Sequence, residues 1–224
     1  MYDNRLMTLH ISSVLCSLLK VINIYNEYQK EKKTALDTYR LTALDEAMSA
    51  AENGARAAVD KEAQYMQDCL DKLMVETRAR NNDLSELSEA NQTAQLLAAQ
   101  EVDYESVQTV IKPFIGCQPM LRLIAGNASE EGRTAVSVWI FDNIGAVDSL
   151  KSDVMRMTYE SVENLPNYIG SIRLGLQNYA TKMGIDISRF SDLISEIRQK
   201  NVTALMGLDY SELYEQQENW KTSH

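Results

Sequence analysis

The first 112 residues of this chain contain no proline and a single glycine, Gly54. The other eight glycines and all three prolines lie from Pro113 onward. A stretch that long without breakers has few places to turn, and its richness in Ala, Glu, Gln, Lys and Leu favours helix. The pattern predicts helix from about Leu6 toward Arg80. Unbroken, it would extend on the order of 110 Å at 1.5 Å per residue. Within it, "AENGARAA" marks the expected bend, because Asn-Gly pairs favour turns, and its alanines would let helices approach closely.

Apolar spacing supports helix over the same span. Ile11, Val14, Leu18, Val21, Tyr25 and Tyr28 follow one another at 3, 4, 3, 4 and 3 residues, which puts them on one stripe of a helix. Leu15 and Ile22 widen it. Leu44, Met48, Ala51, Ala55 and Ala58 continue a 4-3-4-3 rhythm, and Met66, Leu70 and Leu73 resume it. "RARNND" reads as a turn. Asp83 and Glu86 form a capping-box pattern opening the next helix, which runs toward Lys112 with a restart near Asp103.

The stretch "HISSVLCSLLKVINIYNEY" (10–28) is apolar enough to raise the question of targeting. A secretory signal needs a positive start, an unbroken apolar core and a small-residue cleavage site. Here the charges of "MYDNR" cancel, and Ser12, Ser13, Ser17 and Lys20 interrupt the core. Leu15 before Cys16 does not suit a lipoprotein anchor. Lys20, Asn23 and Asn26 argue against a membrane span of about 20 apolar residues. The expectation is an amphipathic helix whose stripe meets protein, with a membrane surface as the alternative. Membrane-surface helices favour Lys and Arg on the polar face, whereas this face is Ser- and Asn-rich.

From Pro113 the chain reads as a compact set of shorter helices. One starts at Pro119 and stops at Gly126-Asn127, and another begins near Ser129. Val147, Leu150, Val154 and Met157 mark a third stripe. Ile169, Ile172, Leu176, Tyr179 and Met183 mark a fourth. Asp186 is the expected N-cap of a helix turning Ile187, Phe190, Ile194 and Ile197 inward, and Asp209 with Glu212 caps a short last one. "AVSVWIF" (135–141) suits a buried helix or a strand by periodicity alone. With no partner strand in view, it is expected to be the central helix.

The expected fold is therefore all-α, with a long helical arm or hairpin over 1–112 and a compact helical bundle over 113–224. The net charge of −10 argues against nucleic-acid binding, which needs clustered Lys and Arg. The densest basic run, Lys30-Glu31-Lys32-Lys33, is flanked by Glu27 and Asp37. Cys16, Cys69 and Cys117 are too few and too scattered for a disulfide scaffold. They are expected to be reduced thiols in a cytoplasmic setting.

Two histidines, His10 and His224, leave little for a Ser-His-Asp or Cys-His centre. No spacing suits zinc or a di-iron bundle, so no cofactor or metal is expected. "GNASEEGRT" (126–134) departs from a phosphate loop in spacing and charge. A carboxylate-dependent enzyme using Asp142, Glu130 or Asp153 is the least favoured reading. The leading expectation is a non-catalytic structural or assembly protein acting through protein contacts, self-association included. Its expected interface comprises Ile11, Val14, Leu18, Val21, Tyr25, Tyr28, Leu44, Met48 and Ala51. A membrane-interacting protein using the first helix is the alternative.

Overall fold

A computed structural model describes residues 4–99 and 103–206. Among the described residues all regular structure is helical, so the all-α expectation holds. The long helices α1 (Arg5–Thr38) and α2 (Thr42–Asn82) come first. They are followed by α3 (Leu87–Ala99), α4 (Tyr104–Ile111), α5 (Gln118–Asn127), α6 (Glu130–Ser137), α7 (Asn143–Tyr159), α8 (Leu165–Lys182) and α9 (Ser191–Leu205). Two compact units are assembled from these helices. The first takes described residues from 4–11, 70–149 and 175–187; the second takes 12–69, 150–174 and 188–206. Each unit draws on chain from both sides of Pro113.

The long first half breaks at 39–41, not at Gly54. Gly54 sits inside α2 on an exposed face, where an added Cβ would meet nothing within 4 Å. The strong helix formers around it carry the helix through at a cost of roughly 1 kcal/mol relative to alanine. At the actual turn Leu41 adopts φ 57°, and its carbonyl accepts from the N–H groups of Leu44 at 3.0 Å and Asp45 at 3.3 Å. A left-handed leucine gives no compositional warning, which is why Asn53-Gly54 looked the better turn.

In the first unit α5 packs between α3 and α6, and α4 lies against α6. Leu97, Val107, Ile111, Phe114, Leu121, Ile124 and Val136 lie in their shared core. The end of α2 is pinned by Arg80, which is only 2% exposed. Its Nη2 donates to the Pro113 carbonyl at 2.6 Å, while Nη1 lies 3.7 Å from Asp83 and 3.8 Å from Glu86. The expected capping box at 83–86 is therefore not one. Asp83 accepts from the Ser85 N–H at 3.1 Å, Glu86 turns to the buried guanidinium, and α3 starts at Leu87. The restart at Asp103 holds, because its carboxylate accepts from the Ser106 N–H at 2.9 Å.

"AVSVWIF" is neither a central helix nor a strand, because only its first three residues are helical. α6 ends at Ser137, the chain turns at Val138 and Trp139, and Ile140 and Phe141 continue without regular structure. The buried Gln118 side chain replaces the missing backbone partners. It accepts from the Phe141 N–H at 2.8 Å and donates to the Trp139 carbonyl at 3.3 Å. Trp139 Nε1 in turn donates to Gln108 at 2.6 Å.

In the second unit α1 and α2 form an antiparallel hairpin. Ser17 Oγ donates to Glu62 at 2.8 Å, and Lys20 Nζ approaches the same carboxylate at 3.3 Å. Gln67 donates to the Lys151 carbonyl at 2.7 Å, and Lys200 to Asn23 at 2.9 Å, which ties α7 and α9 to the hairpin. The apolar stripes on α7 and α8 are buried as expected. Phe190, Ile194 and Ile197 also point inward, although a 3-10 turn (Ile187–Phe190) precedes α9 and Ile187 is half-buried. The cap expected at Asp209 and Glu212 falls outside the described residues, as does His224.

Candidate contact surface: the end of the α1–α2 hairpin

The hairpin is anchored to its own unit by Glu163, in the 3-10 turn (Val162–Asn164) between α7 and α8. Glu163 accepts from Tyr28 Oη at 3.2 Å, Gln29 Nε2 at 2.8 Å and Lys32 Nζ at 2.5 Å. On the other arm, Arg56 donates to the Glu160 carbonyl at 3.2 Å. Burial and the facing Glu163 charge push the Tyr28 phenol up to about 12, and Tyr25 rises for the same reasons. Burial alone would raise the Glu163 carboxyl. Its hydrogen bonds from Lys32 and Gln29, with the Lys32 charge, outweigh that and hold it below the usual glutamate value.

Beyond this anchor the hairpin opens to solvent. From Lys30 to Ala50 the one buried side chain is Ala35. Leu36 is 56% exposed, Tyr39 46% and Leu41 85%. Leu41 is doubly unusual. A bulky side chain in left-handed backbone costs roughly 1–2 kcal/mol, and burial of the side chain does not offset it. Glycine or asparagine would form this turn more easily.

The expected interface residues divide along the hairpin. Ile11, Val14, Leu18, Val21, Tyr25 and Tyr28 are all buried within the chain itself, so any contact with another molecule there would first have to displace internal packing. Ala51 is buried, whereas Leu44 and Met48 are half-buried toward the open end. Tyr39 and Leu41 were not anticipated. Only the backbone at Leu41, invisible in composition, singles that residue out.

By length and composition α1 is long and apolar enough to cross a membrane, with a mean hydropathy of 1.5 over its most apolar 18-residue window. The interruptions at Lys20, Asn23 and Asn26 therefore do not exclude a span on that criterion. In the folded chain 44% of that window is buried in protein.

The carboxylates considered for catalysis are dispersed. Asp142 is exposed and accepts from the Gly145 N–H at 2.9 Å at the start of α7. Glu130 lines an open cleft of about 490 Å³ with Asp103, Tyr104 and Glu131. Asp153 accepts from Ser171 Oγ at 2.6 Å in another open cleft, of about 420 Å³, beside Arg156, Asn164 and Tyr168. His10 is half-buried, and desolvation lowers its pKa against the opposing pull of Glu76. Cys16 is exposed, while Cys69 and Cys117 are buried; burial raises the Cys117 thiol. Among the described residues no group of three His, Cys, Asp or Glu side chains is placed to hold a metal ion. Compared with protein-family models, with curated proteins and with solved structures, the chain matches none.

Proposed function

We propose that this protein is a non-catalytic helical assembly component that works through protein contacts made by the open end of the α1–α2 hairpin, in a reducing, cytoplasmic setting. The observation that carries this reading is Leu41, an 85% exposed leucine held at φ 57°. Strain retained at a surface position points to function outside the monomer's own stability. Leu36 near the end of α1 and Tyr39 just beyond it add apolar surface, and the half-buried Leu44 and Met48 add it on α2. A membrane surface is the less economical occupant. The charges around the tip are mixed, with Asp37, Asp45 and Glu46 beside Lys33 and Arg40, whereas surface-seeking helices carry a basic polar face.

The test is size fractionation with light scattering, on the purified chain and in extract of cells expressing it, for wild type and Leu41→Asp. The expected result is a defined species larger than 25.3 kDa in at least one setting, reduced to monomer by the substitution. A monomer in both settings, or a larger species indifferent to Leu41→Asp, overturns the reading.

A further inference from the structure

We propose that the eighteen residues after Met206, 207–224, dock along the uncovered end of α1 in the free chain and occlude the hairpin end until a partner displaces them. The inference rests on the contact reading above and adds its regulation.

The course of α9 carries it. A Cβ placed on Gly170 would meet Asn201 Nδ2 at 3.3 Å, and burial, with the nearby Arg198 charge, lowers the Arg173 pKa. Position 201 thus lies by 170 and 198 by 173, so α9 runs antiparallel to α8. Carried on, that register sets Leu205 and Met206 level with Leu165, the first residue of α8. Leu165 directly follows the turn in which Glu163 holds Tyr28, Gln29 and Lys32. Lys200 reaching Asn23 at 2.9 Å fits the same course along α1. The chain therefore leaves α9 beside the Glu163 anchor, directed toward the hairpin end.

At that level α1 loses its cover but keeps its stripe. Tyr28, Lys32, Leu36 and Tyr39 follow one another at 4, 4 and 3 residues, on one side of a helix. Tyr28 and Lys32 meet Glu163, whereas Leu36 and Tyr39, further along, are exposed. The rise from Tyr28 to Tyr39 is about 16 Å at helical spacing. Eighteen residues span about 27 Å as a helix and more when extended, so 207–224 is long enough to pass Leu41.

The chemistry of the segment matches that surface. Tyr210, Leu213, Tyr214 and Trp220 fall on one side of a helical repeat, apolar partners for Leu36, Tyr39 and Leu41. Asp209, Glu212, Glu215 and Glu218 stand against a single lysine, Lys221. The basic run they would meet, Lys30, Lys32 and Lys33, is the densest in the chain and lies at the level where α9 ends. A segment docked about nine-tenths of the time lowers the apparent affinity for a partner of the hairpin end about tenfold.

The test reads Trp220 in the dilute full-length chain, as the difference in emission between each protein and its own Trp220→Phe counterpart, which removes Trp139 from the signal. In wild type, Trp220 is expected to emit to the blue of a free indole and to be shielded from iodide. Leu36→Asp and Tyr39→Asp should each shift it to the red and open it to iodide. Leu174→Asp, at an exposed position further along α8, should leave it unchanged. A Trp220 that is solvent-exposed in wild type, unmoved by Leu36→Asp and Tyr39→Asp, or moved by Leu174→Asp instead, overturns the docking. Light scattering of Leu213→Asp reads the occlusion: the Leu41-dependent species should form at about one-tenth of the concentration wild type needs, and an unchanged requirement overturns it. If Trp220 responds as expected while neither protein forms a larger species, the docking stands and the contact reading alone fails.

Discussion

Tyr179 Oη lies 2.6 Å from Thr77 Oγ1 in the buried interior of the first unit, and Thr77 Oγ1 lies 2.6 Å from the Leu73 carbonyl. A carbonyl can only accept, so the threonine proton goes to Leu73 and the tyrosine proton goes to the threonine. The two hydroxyls are therefore not equivalent. Tyr179→Phe keeps the Thr77–Leu73 bond and should cost about 1 kcal/mol. Thr77→Val takes the near oxygen acceptor from a buried phenol, which keeps the weaker Met7 sulfur at 4.0 Å, and should cost about 2 kcal/mol. Urea denaturation of both variants checks the order; equal losses would contradict the assigned direction.

Gln118 is another buried polar anchor of that unit, and it stands in for secondary structure at Trp139 and Phe141, beyond the end of α6. Gln118→Leu leaves the Phe141 N–H and the Trp139 carbonyl without their side-chain partner. The expected loss is about 2–4 kcal/mol for two backbone groups. The emission of Trp139 should shift to the red as its segment loosens, and an unchanged midpoint in urea would show that the segment is held by packing alone.

These residues also show where sequence pattern stops being informative. The stripes on α1, α7 and α8 were legible because a helix repeats its buried positions every three or four residues. Asp103, Ser129 and Pro119 were legible as helix starts because capping chemistry is local. "AVSVWIF" was not, because its conformation depends on Gln118 and Gln108, each about twenty or more residues away in sequence. Glu86 was misread for the same reason: its partner is the buried Arg80 and not the local backbone. At the candidate surface, the α1 stripe was visible but its burial against the chain was not. Leu41 carried no signal because left-handed leucine has no compositional mark.

Gly54 gives a direct check on helix continuity. Its position is inside α2 with open space around it, so Gly54→Ala should stabilise by roughly 0.5–1 kcal/mol through reduced chain entropy and better helix propensity. A turn at Gly54 would make the same substitution neutral or harmful. Thermal denaturation at low protein concentration, where association does not contribute, separates the two.

The Glu163 anchor is pH-dependent with a definite sign. Burial opposes ionisation, but the bonds from Lys32 and Gln29 prevail, so the folded carboxyl titrates below its unfolded value. Its contribution is complete above the ordinary glutamate pKa of 4.5 and is lost as pH falls through the lower folded value. Tyr28 behaves in the opposite sense. Its phenol is raised to about 12, so its contribution persists below 10 and disappears as pH climbs through 12. Glu163→Gln should flatten the acid limb of stability and let Tyr28 and Tyr25 ionise closer to the ordinary phenol value, read by ultraviolet absorbance. A tyrosine titration unmoved by the substitution would leave burial alone, without Glu163, as the cause of the rise.

Leu41 separates stability from association. Asparagine tolerates left-handed backbone far better than leucine, so Leu41→Asn should stabilise the isolated monomer by about 1 kcal/mol. The same change removes the most exposed large apolar side chain of the hairpin end and should weaken any assembly that uses it. The expected pair of results is a higher melting temperature in dilute solution and a smaller species by light scattering when concentrated. A variant that gains stability and associates as wild type would place the contact elsewhere. One that loses stability in dilute solution would show that Leu41 serves the monomer's own packing, and the strain at φ 57° would then need no partner to explain it.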